Sequence, residues 1–247
     1  MYDYYLGGKD NFAADREAAE RVLALVPGLR RATVENRRFL RRVVRSASEA
    51  GISQFLDIGV GLPTQGAVHE VAHETDPNAR VVYADYDPVV VTHGKALLAV
   101  KDRSIMVQAD LRRPGELFAM PAVREHLDLG QPVAISLFAI LHFLPDSDDP
   151  VGIMAALRDA VAPGSYLAVS HIGTEFFPDK QKLAEAVAIY EKASERIWPR
   201  SRDEILPFFG DFELLEPGLV AKHQWRPAGP VSVDTPNIQW GGVARKP

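Results

Sequence analysis

The stretch Phe55-Leu56-Asp57-Ile58-Gly59-Val60-Gly61-Leu62-Pro63 decides the fold. An apolar run ends on an acid, and two glycines then turn the chain toward a helix. Glycine suits such a turn because the backbone must bend tightly and admit a ligand where a Cβ would stand. Alone, Gly-x-Gly fits any nucleotide-binding doubly wound domain.

Outward from this loop, short apolar runs alternate with helical stretches. The pattern predicts strands over 52–58, 80–84, 105–108, 132–138 and 166–170, and helices over 63–74, 88–98, 151–161 and 180–197. Strands apolar on both faces and separated by helices predict a parallel sheet covered on both sides. Two further strands, 212–220 and 238–244, have only a loop between them, which predicts an antiparallel pair at one sheet edge. Upstream, helices are expected over 15–26, stopped by Pro27-Gly28, and over 33–50, capped by Thr33 and stopped by Gly51. The fold class is therefore α/β, doubly wound and mostly parallel. Residues 1–50 form a helical, substrate-side lid, and residues 51–247 form the binding core.

Composition narrows the function classes. The chain has 247 residues, 47% hydrophobic and 25% charged, with a net charge of −5 and no cysteine. One large domain with a sizeable core is expected. The acidic balance argues against a nucleic-acid binder, and disulfides and thiolate chemistry are excluded. The opening Met1-Tyr2-Asp3-Tyr4-Tyr5 has acid and aromatics where a secretory signal has base and a greasy run, and no apolar stretch is long enough to span a bilayer. A cytoplasmic protein is expected.

The loop also selects its ligand. A third glycine of the dinucleotide pattern would fall at Thr64, and Pro63 at the first helical position has no N–H for a pyrophosphate. Asp57 would repel phosphate and welcome an ammonium. An adenosine with a sulfonium and an amino-acid head fits best. Asp85, ending the second strand, stands where a ribose diol is bound in such folds, with Tyr86 beside it for the adenine or ribose. Asp110 and Leu111, after the third strand, are candidates for the adenine amino group and ring. Phe138, ending the fourth strand, joins the cofactor-side set.

These residues, with Leu141-His142-Phe143-Leu144-Pro145-Asp146, resemble the ordered motifs of class I S-adenosylmethionine methyltransferases. The resemblance implies a seven-stranded sheet with a reversed last strand. Tyr2-Asp3-Tyr4-Tyr5-Leu6-Gly7-Gly8-Lys9-Asp10-Asn11-Phe12, Glu35-Asn36-Arg37-Arg38-Phe39-Leu40 and the ending Trp240-Gly241-Gly242-Val243-Ala244-Arg245-Lys246-Pro247 are similar to a bacterial family of S-adenosyl methyltransferases whose members mostly have no assigned substrate. It implies that Arg37 reaches the cofactor. Pro63 departs from the class pattern, which often has glycine there. The family string is usually preceded by more residues, which leaves open whether Met1 is the natural start.

Each candidate has a plainer alternative. The aromatic start is too apolar for a solvated tail, so it reads as a lid, with Tyr5 near the sulfonium. Lys9, Asp10 and Asn11 either touch the amino-acid head or cap the first helix. His142 is either a general base for the acceptor or a packed loop histidine. The arginines from Arg30 to Arg45 read as the polar side of a helix. Asp146, Asp148 and Asp149 read as helix-start acids rather than a metal site. No metal is expected. The acceptor pocket is expected between residues 1–50, the loop after His171 and the helix from Lys180, with Glu175, Phe176, Phe177, Tyr190 and Trp198 near it. The function expected is methyl transfer from S-adenosyl-L-methionine, leaving S-adenosyl-L-homocysteine, to an unidentified small-molecule acceptor. An NAD(P)-dependent oxidoreductase and a non-catalytic cofactor-binding regulator stay open, as does the oligomeric state.

Overall fold

The computed structural model describes residues 1–62, 66–100, 102–230 and 235–247. Pro63 and Thr64, on which part of the loop reading rests, lie outside the described residues. Helices α1 (Tyr2–Tyr5), α2 (Ala13–Leu25) and α3 (Leu29–Glu49) precede the alternating part. There follow β1 (Gln54–Ile58), α4 (Val68–Ala72), β2 (Arg80–Asp85), α5 (Pro88–Leu97), β3 (Ser104–Gln108), α6 (Pro114–Ala119), α7 (Pro121–His126), β4 (Ala134–Phe138), α8 (Pro150–Asp159), β5 (Tyr166–Ile172), α9 (Lys180–Ala193) and α10 (Arg202–Ile205). The chain closes with β6 (Glu213–Leu214), β7 (Val220–Ala221) and β8 (Gln239–Arg245).

One sheet runs in the order β3-β2-β1-β4-β5-β8-β6, with β7 also paired to β8. The first five strands are mutually parallel, while β8 is antiparallel to β5, β6 and β7. The order reverses at β1, so the C-terminal ends of β1, β2 and β4 open onto one crevice. The run 212–220 is not one strand: its ends form β6 and β7, with Pro217 and Gly218 between them, both outside the ladder. Two clusters of buried apolar side chains occupy the sheet's two faces. A third joins α1, α2 and α3 to α9 through Tyr5, Ala19, Val22, Leu29, Ala186 and Ile189.

Several local expectations need correction. Thr33 is not a cap but lies inside α3, where its hydroxyl donates to Leu29 O at 2.9 Å. The helix after β1 is described over Val68–Ala72, and residues 63–65 of the expected span lie outside the described residues. Helices α6 and α7, each opened by a proline, had too few residues for a visible 3.6-residue period. Gly51, by contrast, ends α3 in the left-handed region at φ 87°.

The long α3 buries Phe39, Leu40, Val43, Val44 and Ala47 and keeps most arginines outward. Arg41 and Arg45 both pair with Glu74 at exposed sites, where such pairs stabilise little. Arg42 points inward and donates to the carbonyls of Trp225 and Lys222, both at 2.8 Å. The fully buried Trp225 meets Phe39 edge-on at 5.7 Å, and Phe39 meets Phe138 at 5.5 Å. This aromatic chain braces α3 against the end of β4. Trp225→Ala should therefore cost about 3–5 kcal/mol of stability, measured by denaturant unfolding.

Candidate cofactor and acceptor site

A cavity of about 430 Å³ opens at the C-terminal ends of β1, β2 and β4. Its floor is the loop read first in the sequence. Gly59 and Gly61 have φ of 74° and 64°, a region costly for other residues. A Cβ at Gly59 would stand 2.5 Å from Ile140. The Gly61 N–H donates to Asp85 Oδ2 at 2.9 Å, and the Asp87 N–H donates to Asp85 Oδ1 at 3.0 Å. These bonds hold the loop after β1 onto the acid that ends β2.

Asp57 is buried and accepts the Ser136 hydroxyl at 2.6 Å. Burial, opposed by the Ser136 bond and the Arg37 charge and reinforced by Asp85, raises its pKa to about 6. Burial also raises Asp85, against the backbone N–H groups that it accepts. Two buried carboxylates on one wall form a place prepared for positive charge. The wall continues through Tyr86, whose hydroxyl donates to Glu195 at 2.9 Å, and Phe138.

The opposite wall comes from the first fifty residues, α9 and the segment just before α9. Tyr5, Val22, Val26, Leu29, Asn36, Arg37, Phe177, Leu183, Ala186 and Tyr190 line it. Tyr190 and Tyr5 place their hydroxyls 3.4 Å apart, and Asn36 Nδ2 donates to Tyr2 Oη at 3.1 Å. Arg37 donates to Gly66 O at 3.2 Å and supplies the positive charge beside Asp57.

Of the sequence candidates, Tyr5, Arg37, Asp57, Gly59, Gly61, Asp85, Tyr86, Phe138 and His142 line the cavity. Lys9, Asn11, Asp110 and Leu111 do not. Lys9 is exposed. Asn11 is bonded to Asp3 and Gly8 O. Asp110 is clamped by Arg112, whose Nε and Nη2 reach its oxygens at 2.8–3.0 Å and lower its pKa. Leu111 is buried in the main core. Glu175, Phe176 and Trp198 are also away from the cavity lining, the first two being engaged with Trp240. The acids near residue 146 are structural: Asp149 caps α8 and Asp146 pairs with Arg200 at 2.7 Å.

His142 lines the cavity as a buried, neutral imidazole. Desolvation, with His171 and Arg200 nearby, pushes its pKa well below the ordinary value. The sequence reading gave no role to Asp3, Asp87, Glu195 or Ser136, all lining or supporting the cavity. Ser136, a hydroxyl inside an otherwise apolar strand, was the one legible signal among them.

Among the described residues, no helix is long and apolar enough to cross a membrane. No group of potential metal ligands is found among them either.

Comparison with known proteins agrees with this architecture. The chain matches the family model described as S-adenosyl methyltransferase over residues 1–247. The crystal structure of a proposed methyltransferase from Thermobifida fusca is 44% identical with a TM-score of 0.92, over 99% of this chain and 92% of that one. A DUF574 family protein from Streptomyces avermitilis is 40% identical with a TM-score of 0.92, over 100% and 95%. Human N-acetylserotonin methyltransferase, solved with S-adenosylmethionine, shares the fold at 16% identity and a TM-score of 0.50, over 100% of this chain and 62% of that one. No curated protein matches the chain.

Gly59→Ala should cost about 1–3 kcal/mol from the left-handed backbone and the Ile140 collision, lowering Tm in a thermal melt. The chain belongs to the S-adenosyl methyltransferase family, and it is an S-adenosylmethionine-dependent methyltransferase.

Proposed function

We propose that the cavity at the ends of β1 and β2 seats the adenosyl and amino-acid parts of S-adenosylmethionine, and that a small-molecule acceptor enters between α1–α3 and α9. The observation that carries this reading is the pair of buried carboxylates, Asp57 and Asp85, beside a turn whose glycine N–H is already spent on Asp85. A phosphate would find repulsion there, and a ribose diol or an ammonium would find acceptors. The oxidoreductase reading therefore has no support at this loop.

In this arrangement Asp85 accepts from the ribose hydroxyls and Tyr86 covers the adenosyl group. Asp57 and Arg37 stand for the ammonium and carboxylate of the amino-acid head. When bound, the cofactor supplies a methyl group on a sulfonium. The residues of this chain orient the two reactants and exclude water, which can lower the barrier by about 7–11 kcal/mol. The first fifty residues serve as the lid, since their apolar faces pack on α9 across the cavity. His142 acts as wall rather than base, because a neutral imidazole of depressed pKa takes a proton poorly.

Isothermal titration should show S-adenosylhomocysteine binding with no comparable binding of NAD. Asp85→Asn should weaken S-adenosylhomocysteine about tenfold or more through loss of charge-assisted bonds. NAD binding alone would reverse the assignment.

The pH dependence has a definite sign. A raised Asp57 pKa means the folded chain holds that proton more tightly than the unfolded chain. Between the ordinary carboxylate value and about 6, the empty protein loses stability as pH rises. In the same window its affinity for the cationic head should increase. Asp57→Asn should flatten that affinity profile, and an unchanged profile in the variant would remove Asp57 from the site.

A further inference from the structure

Resting on that reading of the cofactor side, we propose that the acceptor is an apolar aromatic amine, and that Asp3 on the lid contacts its nitrogen.

The lining of the cavity is unbalanced in charge. Among the described residues it presents six aspartates and Glu195 against Arg37 and the Met1 ammonium, which pairs with Asp15 at 3.3 Å, with no lysine. A carboxylate or phosphate acceptor would enter against that field. Away from the sheet edge, Phe12, Val22, Leu29, Phe177 and Leu183 give the walls apolar and aromatic surface, with Thr33, Asn36 and the tyrosine hydroxyls as uncharged polar groups.

Asp3 is a built feature of this lid. It is 7% exposed, and it lines the cavity from α1. Asn11 Nδ2 donates to Asp3 Oδ2 at 2.7 Å and to Gly8 O at 2.9 Å. The Gly8 N–H donates to Asp3 O at 2.9 Å. A Cβ at Gly8 would stand 1.8 Å from Asp3 Oδ1, so a larger residue there would displace the carboxylate from its present position. The loop at residues 7–11 therefore holds one carboxylate in one place. Asp57 and Asp85 already meet the cofactor at the sheet edge. Asp3, carried by α1, belongs to the side built from α2, α3 and α9.

The chemistry of the wall selects the nucleophile. A phenol must lose a proton of high pKa at or before attack. The imidazole on the wall, His142, is buried beside His171 and Arg200 and is a weak base. An aromatic amine is neutral at physiological pH and brings its own lone pair. That pair forms the N–C bond while the C–S bond breaks, its electrons going to sulfur as the neutral thioether. Positive charge moves from sulfur to nitrogen, and the resulting N-methylanilinium gives its proton to Asp3.

The test uses three matched probes, 4-tert-butylaniline, 4-tert-butylphenol and 4-tert-butylbenzoate. Each is titrated calorimetrically into protein saturated with S-adenosylhomocysteine. The aniline should bind about tenfold or more tighter than the benzoate, and tighter than the phenol. Asp3→Asn should abolish the preference for the aniline over the phenol, while the benzoate stays weakest because the other acids of the lining remain, and S-adenosylhomocysteine affinity stays within about threefold. Asn11→Ala, which keeps the charge but frees the carboxylate, should reduce the preference partially and serves if Asp3→Asn does not fold. The proposal is overturned if the benzoate binds as well as the aniline, if none of the three binds, or if either variant weakens S-adenosylhomocysteine and aniline equally. If S-adenosylhomocysteine itself fails to bind the parent protein, it is the cofactor reading that fails.

Discussion

The hydrogen bond from the Gly61 N–H to Asp85 is the interaction on which the site depends. It ties the turn after β1 to the end of β2, its parallel neighbour. The turn can make it only because Gly59 and Gly61 take positive φ. On the other side of β1, Ser136 of β4 donates to Asp57. Three adjacent strand ends are thereby fixed in relation to each other by two carboxylates. Burial makes both carboxylates harder to ionise than free ones, and a positive or hydroxyl-rich ligand would relieve that cost. The core supplies rigidity, and this pair of bonds supplies chemistry.

Much of this was legible in the sequence because it was periodic or local. The βα alternation from residue 52 gave the parallel sheet, and the acid-then-glycine run marked the crevice. Gly51 and Asp149 behaved as helix punctuation. What stayed hidden depended on which side chains pair with each other in the fold. Asp110 occupies a strand-end position like that of Asp85, yet Arg112, two residues on, takes both its oxygens. Asn11 is spent on Asp3, eight residues before it. No periodicity reveals that an acid is already paired, nor that the short β6 and β7 share one partner, β8.

The N-terminal string shows the same division. Its aromatic character separates it from a solvated tail, and Tyr5 is buried with its hydroxyl 3.4 Å from that of Tyr190 in α9. Its glycines and asparagine read as loop punctuation or direct ligand contacts. In the fold they hold one acid in place. The basic stripe of α3 likewise divides by position: most arginines face outward, while Arg37 and Arg42 turn in, toward the cavity and toward Trp225.

The central claim is spatial: a phosphate-free adenosyl ligand lies between the glycine turn and the lid. A crystal structure with S-adenosylhomocysteine tests it most directly. The account predicts ribose hydroxyls within hydrogen-bond distance of Asp85 and the amino-acid head beside Asp57 and Arg37. Density for the ligand elsewhere on the molecule, with Asp57 and Asp85 untouched, would contradict it.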